Sequence, residues 1–379
     1  MDHTSLNQII IDILVIFMIL GGIDRVTHGK FKLGLAESFE EGFNALGSLA
    51  LAMLGILALA PALVGPITAI VGPLYRLVGA DPAMFAGAFL SSDMGAYPIA
   101  MEMAANHDIA CFSGIILGSL LGIVIVFTIP IGLGIIAEED RKYLAQGVLY
   151  GVITVPVGSI LGGISAGYDL KMVLVNTIPT VIISILLAVG IKLVPNAMIK
   201  GFGIFGKLIV SMITIGLIAG VIETLTGIVI IPGMAPLSDG YEVIGNIAIV
   251  LAGAFPMVAL ITRVFDKSLS KIGSKFGING QSVGGFVASL ANVIPMFGMM
   301  KNMDERGKIL NCAFAVSGSL ILGDHLAFTA SVEMDLLVPM IIAKGSAGIC
   351  AIILAFIATK NLKNKSVDAV EAIPAETEN

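Results

Sequence analysis

Long apolar stretches separated by short polar loops fill most of the chain. Nine of these stretches reach the length of about 20 residues with which a helix crosses a bilayer. Their approximate limits are Ile9–Val26, Phe43–Leu63, Ile109–Ile136, Tyr143–Ala166, Met172–Val194, Leu208–Leu225, Val243–Ile261, Ile309–Ala330 and Leu336–Ala358. The pattern predicts an all-α polytopic membrane protein with about nine transmembrane helices.

Two further apolar segments, Met84–Met103 and Val283–Met300, are interrupted by glycine and proline. Irregular backbone inside a membrane must meet protein or water, because lipid offers its N–H and C=O groups no partner. We therefore expect both segments to be re-entrant and to line a substrate path. The remaining apolar stretch, Leu63–Val78, contains Pro66 and Pro73 and is not counted as a crossing.

The sequence repeats weakly at a separation of about 200 residues. In the broken segments Gly87, Phe89, Ser92 and Pro98 correspond to Gly284, Phe286, Ser289 and Pro295. Composition alone also makes Gly/Ala/Leu-rich helices look alike, but the matches occur in the same order along both halves. They predict an inverted repeat, with residues 1–206 as the first repeat and its linking helix, 207–359 as the second repeat, and 360–379 as a disordered cytoplasmic tail.

Basic residues divide unequally between the loops. With both broken segments re-entrant, most lysines and arginines fall on one side and leave Arg76 and Lys171 on the other. Cytoplasmic loops carry the excess of positive charge, so we expect the N-terminus outside and the C-terminus in the cytoplasm.

Composition predicts that the chain is embedded in the lipid bilayer and does not bind nucleic acid. The 379 residues are 57% hydrophobic and 13% charged, with a net charge of -6 and a mean hydropathy of +1.00. The three cysteines show no metal-binding spacing and are expected to be small core residues.

The candidate site residues cluster at the two breaks. The first break supplies Ser92, Asp93 and Tyr97, and the second supplies Ser289 and Asn292. An ionised Asp at the centre of a membrane helix costs about 2.5–3.5 kcal/mol, so such residues usually face a cavity or a polar partner. We expect the two tips to meet near the midplane, although a kinked packing helix with a paired Asp93 would also satisfy the sequence.

The string GDHLAF, residues 323–328, adds Asp324 and His325. Neighbouring residues lie about 100° apart around a helix, so both cannot face one ligand unless the helix unwinds at Gly323. Asp324 is the stronger cavity candidate. His325 is open to three interpretations: a packing residue, a substrate contact, or a proton sensor with a pKa near 6.5.

Four strings, SFEEGF, MFAGAFLSSDMGAYP, NVIPMFGMMKNMDERGKILNCAFAVS and GDHLAF, resemble those of the bacterial ethanolamine permease family, EutH. The resemblance runs from the first span to the last. It implies uptake of ethanolamine across the cytoplasmic membrane to feed a cobalamin-dependent lyase pathway. By motif, Asp93, Asn292, Asp324 and His325 stand where the family has those residue types.

Ethanolamine suits these candidates chemically. Asp93 or Asp324 would accept hydrogen bonds from the ammonium, and Asn292, Ser92 or Ser289 would hold the hydroxyl. The alternative is an ion-coupled symporter of another small solute, an organic anion or an amine. We expect no enzyme, cofactor or metal site, because HExxH, GxSxG and Asp-rich metal motifs are missing from the sequence. Assembly into a homo-oligomer stays open.

Overall fold

The computed structural model describes residues 3–91, 94–360 and 362, except for the side chains of 3–4, 265–272 and 274–276. This part of the chain is helical and contains no strand. In order, the α-helices are α1 His3–Val26, α2 Ala36–Leu77, α3 Met84–Phe89, α4 Ala96–Met103, α5 His107–Cys111, α6 Ile129–Ile135, α7 Arg141–Ser165, α8 Leu170–Leu193, α9 Pro195–Thr226, α10 Leu237–Phe276, α11 Gly280–Ala291, α12 Val293–Met299, α13 Glu305–Ser317, α14 Asp324–Val332 and α15 Leu337–Ala358. Between α5 and α6 the chain forms two π-helices, π1 Phe112–Gly122 and π2 Val124–Thr128.

Eight helical stretches of the described chain are long and apolar enough to cross a membrane. The all-α, multi-pass prediction is confirmed, with eight such helices in the described residues where about nine were predicted. The predicted span Ile309–Ala330 is two short helices, α13 and α14, separated by turns at 318–323. The stretch Leu63–Val78 belongs to α2, which contains its prolines.

Helix α2 has 42 residues, about 60 Å at 1.5 Å per residue, and so exceeds the thickness of a bilayer core. Its start is fixed by Asp24, a buried residue at the end of α1. Asp24 Oδ2 accepts hydrogen bonds from the backbone N–H of Leu35 at 2.7 Å and of Ala36 at 3.1 Å. A carboxylate from a different helix therefore satisfies N–H groups that the first turn leaves free.

Helices α3 and α4 form hairpin 1, whose two ends are joined at a neck. The Asp81 carboxylate accepts hydrogen bonds from the N–H of Ala83, before α3, and of Ala105, after α4. The segment therefore returns to the end of the molecule from which it enters.

Helices α11 and α12 form hairpin 2 with a neck of similar chemistry. Asp304 Oδ1 accepts hydrogen bonds from Asn279 N–H at 2.8 Å and from the Ser282 hydroxyl at 2.7 Å. The Asn279 side chain also donates to Asn302 O at 2.9 Å. Both segments predicted to be broken thus turn back at their tips.

The two necks lie at opposite ends of α7. Asn176, near the start of the helix that follows α7, accepts a hydrogen bond from the Asp81 N–H at 2.7 Å. At the other end, Lys308, four residues beyond Asp304, pairs with Asp140 at 2.6 Å just before α7 begins. This arrangement agrees with an inverted repeat, which stays a prediction. The expected boundary at 206 and 207 lies inside α9, and most of the tail lies outside the described residues.

Candidate functional site

Helices α13 and α14, with the turns between them, are called the broken helix. A cavity of about 330 Å³ lies where hairpin 2 meets this broken helix. Its walls come from the first turns of α2, from α10 and π2, from the tip of hairpin 2 and from the start of α14. Its polar and aromatic lining consists of Glu41, Asn44, Ser48, Phe127, Phe255, Asn292 and Asp324. Two carboxylates, two amides, a hydroxyl and two aromatic rings therefore line one space.

Helix α2 contributes a polar stripe to this cavity. Glu41, Asn44 and Ser48 are three and four residues apart, so they lie on one face of the helix. None of the three was among the residues predicted from the sequence. Their helical spacing within an apolar stretch was the signal that could have identified them.

The tip of hairpin 2 contributes Asn292. This residue has extended backbone, φ -150° and ψ 141°, and ends α11 while it caps α12. Its side-chain oxygen accepts the Ile294 N–H at 2.9 Å, so it satisfies one of the donors exposed where the helix restarts.

Asp324 contributes the second carboxylate, from the first turn of α14. A negative charge at this position is favoured by the free N–H groups and the dipole at the helix start. Gly323 precedes it with φ -117° and ψ -127°, so the helix begins only at Asp324. Asp324 lines the cavity and His325 does not.

Backbone hydrogen bonds join the tip of hairpin 2 to the break before α14. Leu320 N–H donates to Ser289 O at 2.8 Å, and Leu322 N–H donates to Leu290 O at 2.9 Å. A Cβ atom added at Gly323 would lie 2.0 Å from Ala291 O, which is closer than atoms can pack. Glycine is therefore needed for this close approach, and each irregular segment satisfies polar groups of the other.

A second cavity of about 390 Å³ adjoins the first. The two share Glu41, Phe255, Asn292 and Ile294, and the second extends to Ser38 near the start of α2. Glu41 and Asn292 thus lie where the two cavities join. Together the cavities form a route toward the end of the molecule where hairpin 2 has its neck.

The sign of the charge on the lining side chains distinguishes this site from a cleft of about 1100 Å³ between α6, α7, α8 and α9. That cleft contains the basic residues Arg141, Lys142, Lys192, Lys200 and Lys207 alongside Glu138 and Glu139. The cavity at hairpin 2 contains two carboxylates, and its described lining includes no lysine or arginine. Of these two spaces in the described part of the chain, the cavity at hairpin 2 has the lining that attracts a cation.

The structure brings two of the predicted residues, Asn292 and Asp324, into one cavity. Ser289 is buried beside it, and its hydroxyl donates to Phe286 O at 2.9 Å. His325 is fully buried and does not line the cavity, and neither ring nitrogen has a hydrogen-bond partner among the described residues. Tyr97 lies in another cluster, and Ser92 and Asp93 lie outside the described residues.

Comparison with known proteins decides the family. The sequence model of the family described as "Ethanolamine utilisation protein, EutH" matches residues 6–358. The chain belongs to the EutH family. The resemblance seen in the four sequence strings is thereby confirmed.

The curated relatives agree over nearly their full length. A "Probable ethanolamine permease EutH" of Listeria monocytogenes is 51% identical over 362 residues, which cover 96% of each chain. The proteins of that name from Salmonella typhimurium and Escherichia coli are both 44% identical, covering 92% of this chain and 94% of theirs. No solved structure matches the chain significantly.

This EutH chain also contains a buried lysine that was not among the residues predicted from the sequence. Lys344 lies fully buried in the middle of α15, and its Nζ donates to Ser119 O in π1 at 2.7 Å. Backbone hydrogen bonds in a π-helix run from i to i+5, and π-helical turns are frequent at functional sites. A lysine within the apolar sequence 337–358 was a visible signal of a polar site.

Tyr97 belongs to a cluster at the end of the molecule where hairpin 1 has its neck. Its hydroxyl donates to Glu333 Oε1 at 2.7 Å, and His107 Nε2 lies 2.8 Å from the same oxygen. The Tyr97 ring also packs edge-on against Phe328 of α14, with 5.8 Å between centroids. These contacts connect hairpin 1 to the end of α14.

Proposed function

We propose that this EutH protein is a permease that carries protonated ethanolamine across the bacterial cytoplasmic membrane. Its relatives of the same family are named as probable ethanolamine permeases, and the chain is a multi-pass membrane protein. The observation that carries the proposal is the acidic cavity between hairpin 2 and the broken helix. Discontinuous helices that meet in this way are the usual setting of transporter substrate sites.

In the proposed complex, the ammonium of ethanolamine binds between Asp324 and Glu41. Charge-assisted hydrogen bonds to a carboxylate are about twice as strong as neutral ones. Asn292, Asn44 or Ser48 would hold the hydroxyl, which both donates and accepts. A water molecule takes about 30 Å³, so a cavity of about 330 Å³ admits this four-heavy-atom solute together with several waters.

The proposed conformation is open toward the cytoplasm. The adjoining cavities lead toward the start of α2, and the basic residues around that end favour the cytoplasmic side, which leaves the N-terminus outside. At the opposite end, the hydrogen bonds of Glu333 with Tyr97 and His107 close the structure. Alternating access would break these contacts and move hairpin 2 over the cavity. Ser92 and Asp93, which lie between α3 and α4 in the sequence, are the proposed counterpart on the outer route.

The transporter proposal is distinguishable from its alternatives. An organic anion would face two carboxylates and no compensating cation in the described lining, which disfavours the anion symporter. An enzyme would convert ethanolamine rather than release it unchanged.

The test is counterflow of radiolabelled ethanolamine in proteoliposomes, with unlabelled ethanolamine or one of three solutes of similar size as the trans substrate. Of these three, ethylamine lacks the hydroxyl, ethylene glycol lacks the charge, and glycolate carries the opposite charge. We expect exchange to decrease in the order ethanolamine, ethylamine, ethylene glycol, with none for glycolate. Protein-free liposomes control for diffusion of the neutral amine, and chromatography of the recovered label would reveal chemical conversion. Exchange that is as fast with glycolate as with ethanolamine would refute the proposed site.

A further inference from the structure

Three metal-binding side chains meet at the closed end of the molecule, away from the acidic cavity. His107 and Cys111 lie one turn apart on α5, and Glu333 reaches them from the end of α14. One potential ligand atom of each lies within 4.8 Å of the other two. The Cys111 sulfur is 3.7 Å from the His107 ring nitrogens, and His107 Nε2 is 2.8 Å from Glu333 Oε1.

These distances approach those of a tetrahedral zinc site. Zinc binds nitrogen and oxygen at about 2.0–2.2 Å and thiolate at about 2.3 Å, which at tetrahedral angles separates nitrogen from sulfur by about 3.6 Å and nitrogen from oxygen by about 3.4 Å. The sulfur is at that distance from Nε2, but it lies equally far from Nδ1. The exposed His107 ring must therefore turn to direct Nε2 at the metal. The carboxylate needs to retreat by about half an ångström, and the metal then replaces its hydrogen bond with His107.

The surroundings of the three side chains also suit a metal. The Tyr97 hydroxyl donates to Glu333 Oε1, as the outer partners of metal-binding carboxylates commonly do. The side chain of His107 is 58% exposed, so an ion has access from water, whereas Cys111 is buried behind it. The i, i+4 spacing of His107 and Cys111 is visible in the sequence, but Glu333, 226 residues from His107, completes the set only in the fold.

We propose that His107, Cys111 and Glu333 form a binding site for Zn²⁺ that holds this end of the transporter closed. On binding, the Cys111 thiol releases its proton to solvent and coordinates as thiolate, and neutral His107 coordinates through Nε2. Glu333 provides an oxygen, and water completes the tetrahedron. The site connects α5, which follows hairpin 1, to the end of α14, which begins at Asp324. Bound metal therefore opposes opening of the outer route and inhibits exchange; this consequence rests on the proposed function.

Cobalt(II) titration of the purified full-length protein, freed of metal with a chelator, tests the site directly. Cobalt replaces zinc in tetrahedral sites, and a thiolate ligand gives it a charge-transfer band in the near ultraviolet. We expect one equivalent of Co²⁺ to produce the band and one equivalent of Zn²⁺ to abolish it. Cys111→Ser should remove the band, and the more conservative His107→Gln should weaken affinity at least about tenfold. Cys350→Ser, a cysteine outside the cluster, is the matched control and should behave as wild type.

The outcomes separate the site from its effect. A missing band, or one that persists in Cys111→Ser, overturns the metal site. With the band present, Zn²⁺ should inhibit ethanolamine counterflow in wild type and Cys350→Ser but not in Cys111→Ser. Equal inhibition of all three, or none, overturns the closing role. If no protein-dependent ethanolamine exchange occurs at all, the proposed function fails, whereas the cobalt titration still decides the metal site.

Discussion

Replacement of Asp324 by Asn is the sharpest test of the acidic cavity. The change keeps the shape of the side chain and removes its negative charge. The new amide still accepts a hydrogen bond through its oxygen, so the break before α14 should keep its geometry. What is lost is the charge opposite the proposed ammonium.

The expected cost follows from the strength of one hydrogen bond between charged groups. Such a bond contributes about 1.5–3 kcal/mol, and each 1.4 kcal/mol corresponds to a factor of ten in affinity. KM should therefore rise by about 10- to 140-fold. Because the cavity is open and Glu41 retains a second carboxylate, we expect a value near the lower limit.

Initial rates of ethanolamine counterflow over a range of concentrations would give KM and the maximal rate separately. Asp335→Asn, an exposed aspartate outside the cavity, is the matched control and should leave both unchanged. Glu41→Gln should raise KM similarly, and the double variant should reduce exchange to background. An unaltered KM in Asp324→Asn would refute the assignment of the ammonium to this cavity and favour Asp93 as its partner.

Three further changes test the packing around the site. Gly323→Ala should destabilise the protein by about 1–3 kcal/mol, because its new methyl group overlaps Ala291 O, whereas Gly298→Ala, with open space around it, should be neutral. Lys344→Met should remain folded, because it replaces a buried polar group by an apolar side chain of similar length. Asp24→Ala should lower the free energy of unfolding by about 1–2 kcal/mol, because it removes the cap of α2. Thermal unfolding in detergent, followed by a thiol-reactive dye on the buried cysteines since the chain has no tryptophan, would measure the stabilities.

Hydropathy predicted most of the fold because the bilayer imposes a strong and local constraint. A helix that crosses lipid must be apolar for about 20 residues, and this requirement identified the long helices. The glycines and prolines of 84–103 and 283–300 indicated the two hairpins, because neither segment can satisfy its backbone as one helix. The necks, in contrast, depend on Asp81 and Asp304, whose partners are distant in sequence.

The break at 318–323 escaped prediction because its sequence, GSLILG, is apolar and contains no proline. The break is stabilised by hydrogen bonds from Leu320 and Leu322 to the tip of hairpin 2, and a tertiary contact of this kind leaves little trace in a local pattern. Half of the cavity was missed for a related reason. Glu41 resembles an interfacial residue in the sequence, and only the position of hairpin 2 against α2 shows that it faces Asn292.

Helix α14 connects the acidic cavity to the cluster at the opposite end of the molecule. It has nine residues, about 14 Å at 1.5 Å per residue, with Asp324 in the cavity at its start. Glu333, just after its last turn, contacts Tyr97 at the closed end. The turns before α14 separate it from α13, so it can move as a short rigid body without bending a long helix. A cation that draws Asp324 toward Glu41 would therefore shift Glu333 against Tyr97. On this geometry, the position of α14 couples occupancy of the cavity to closure of the opposite end.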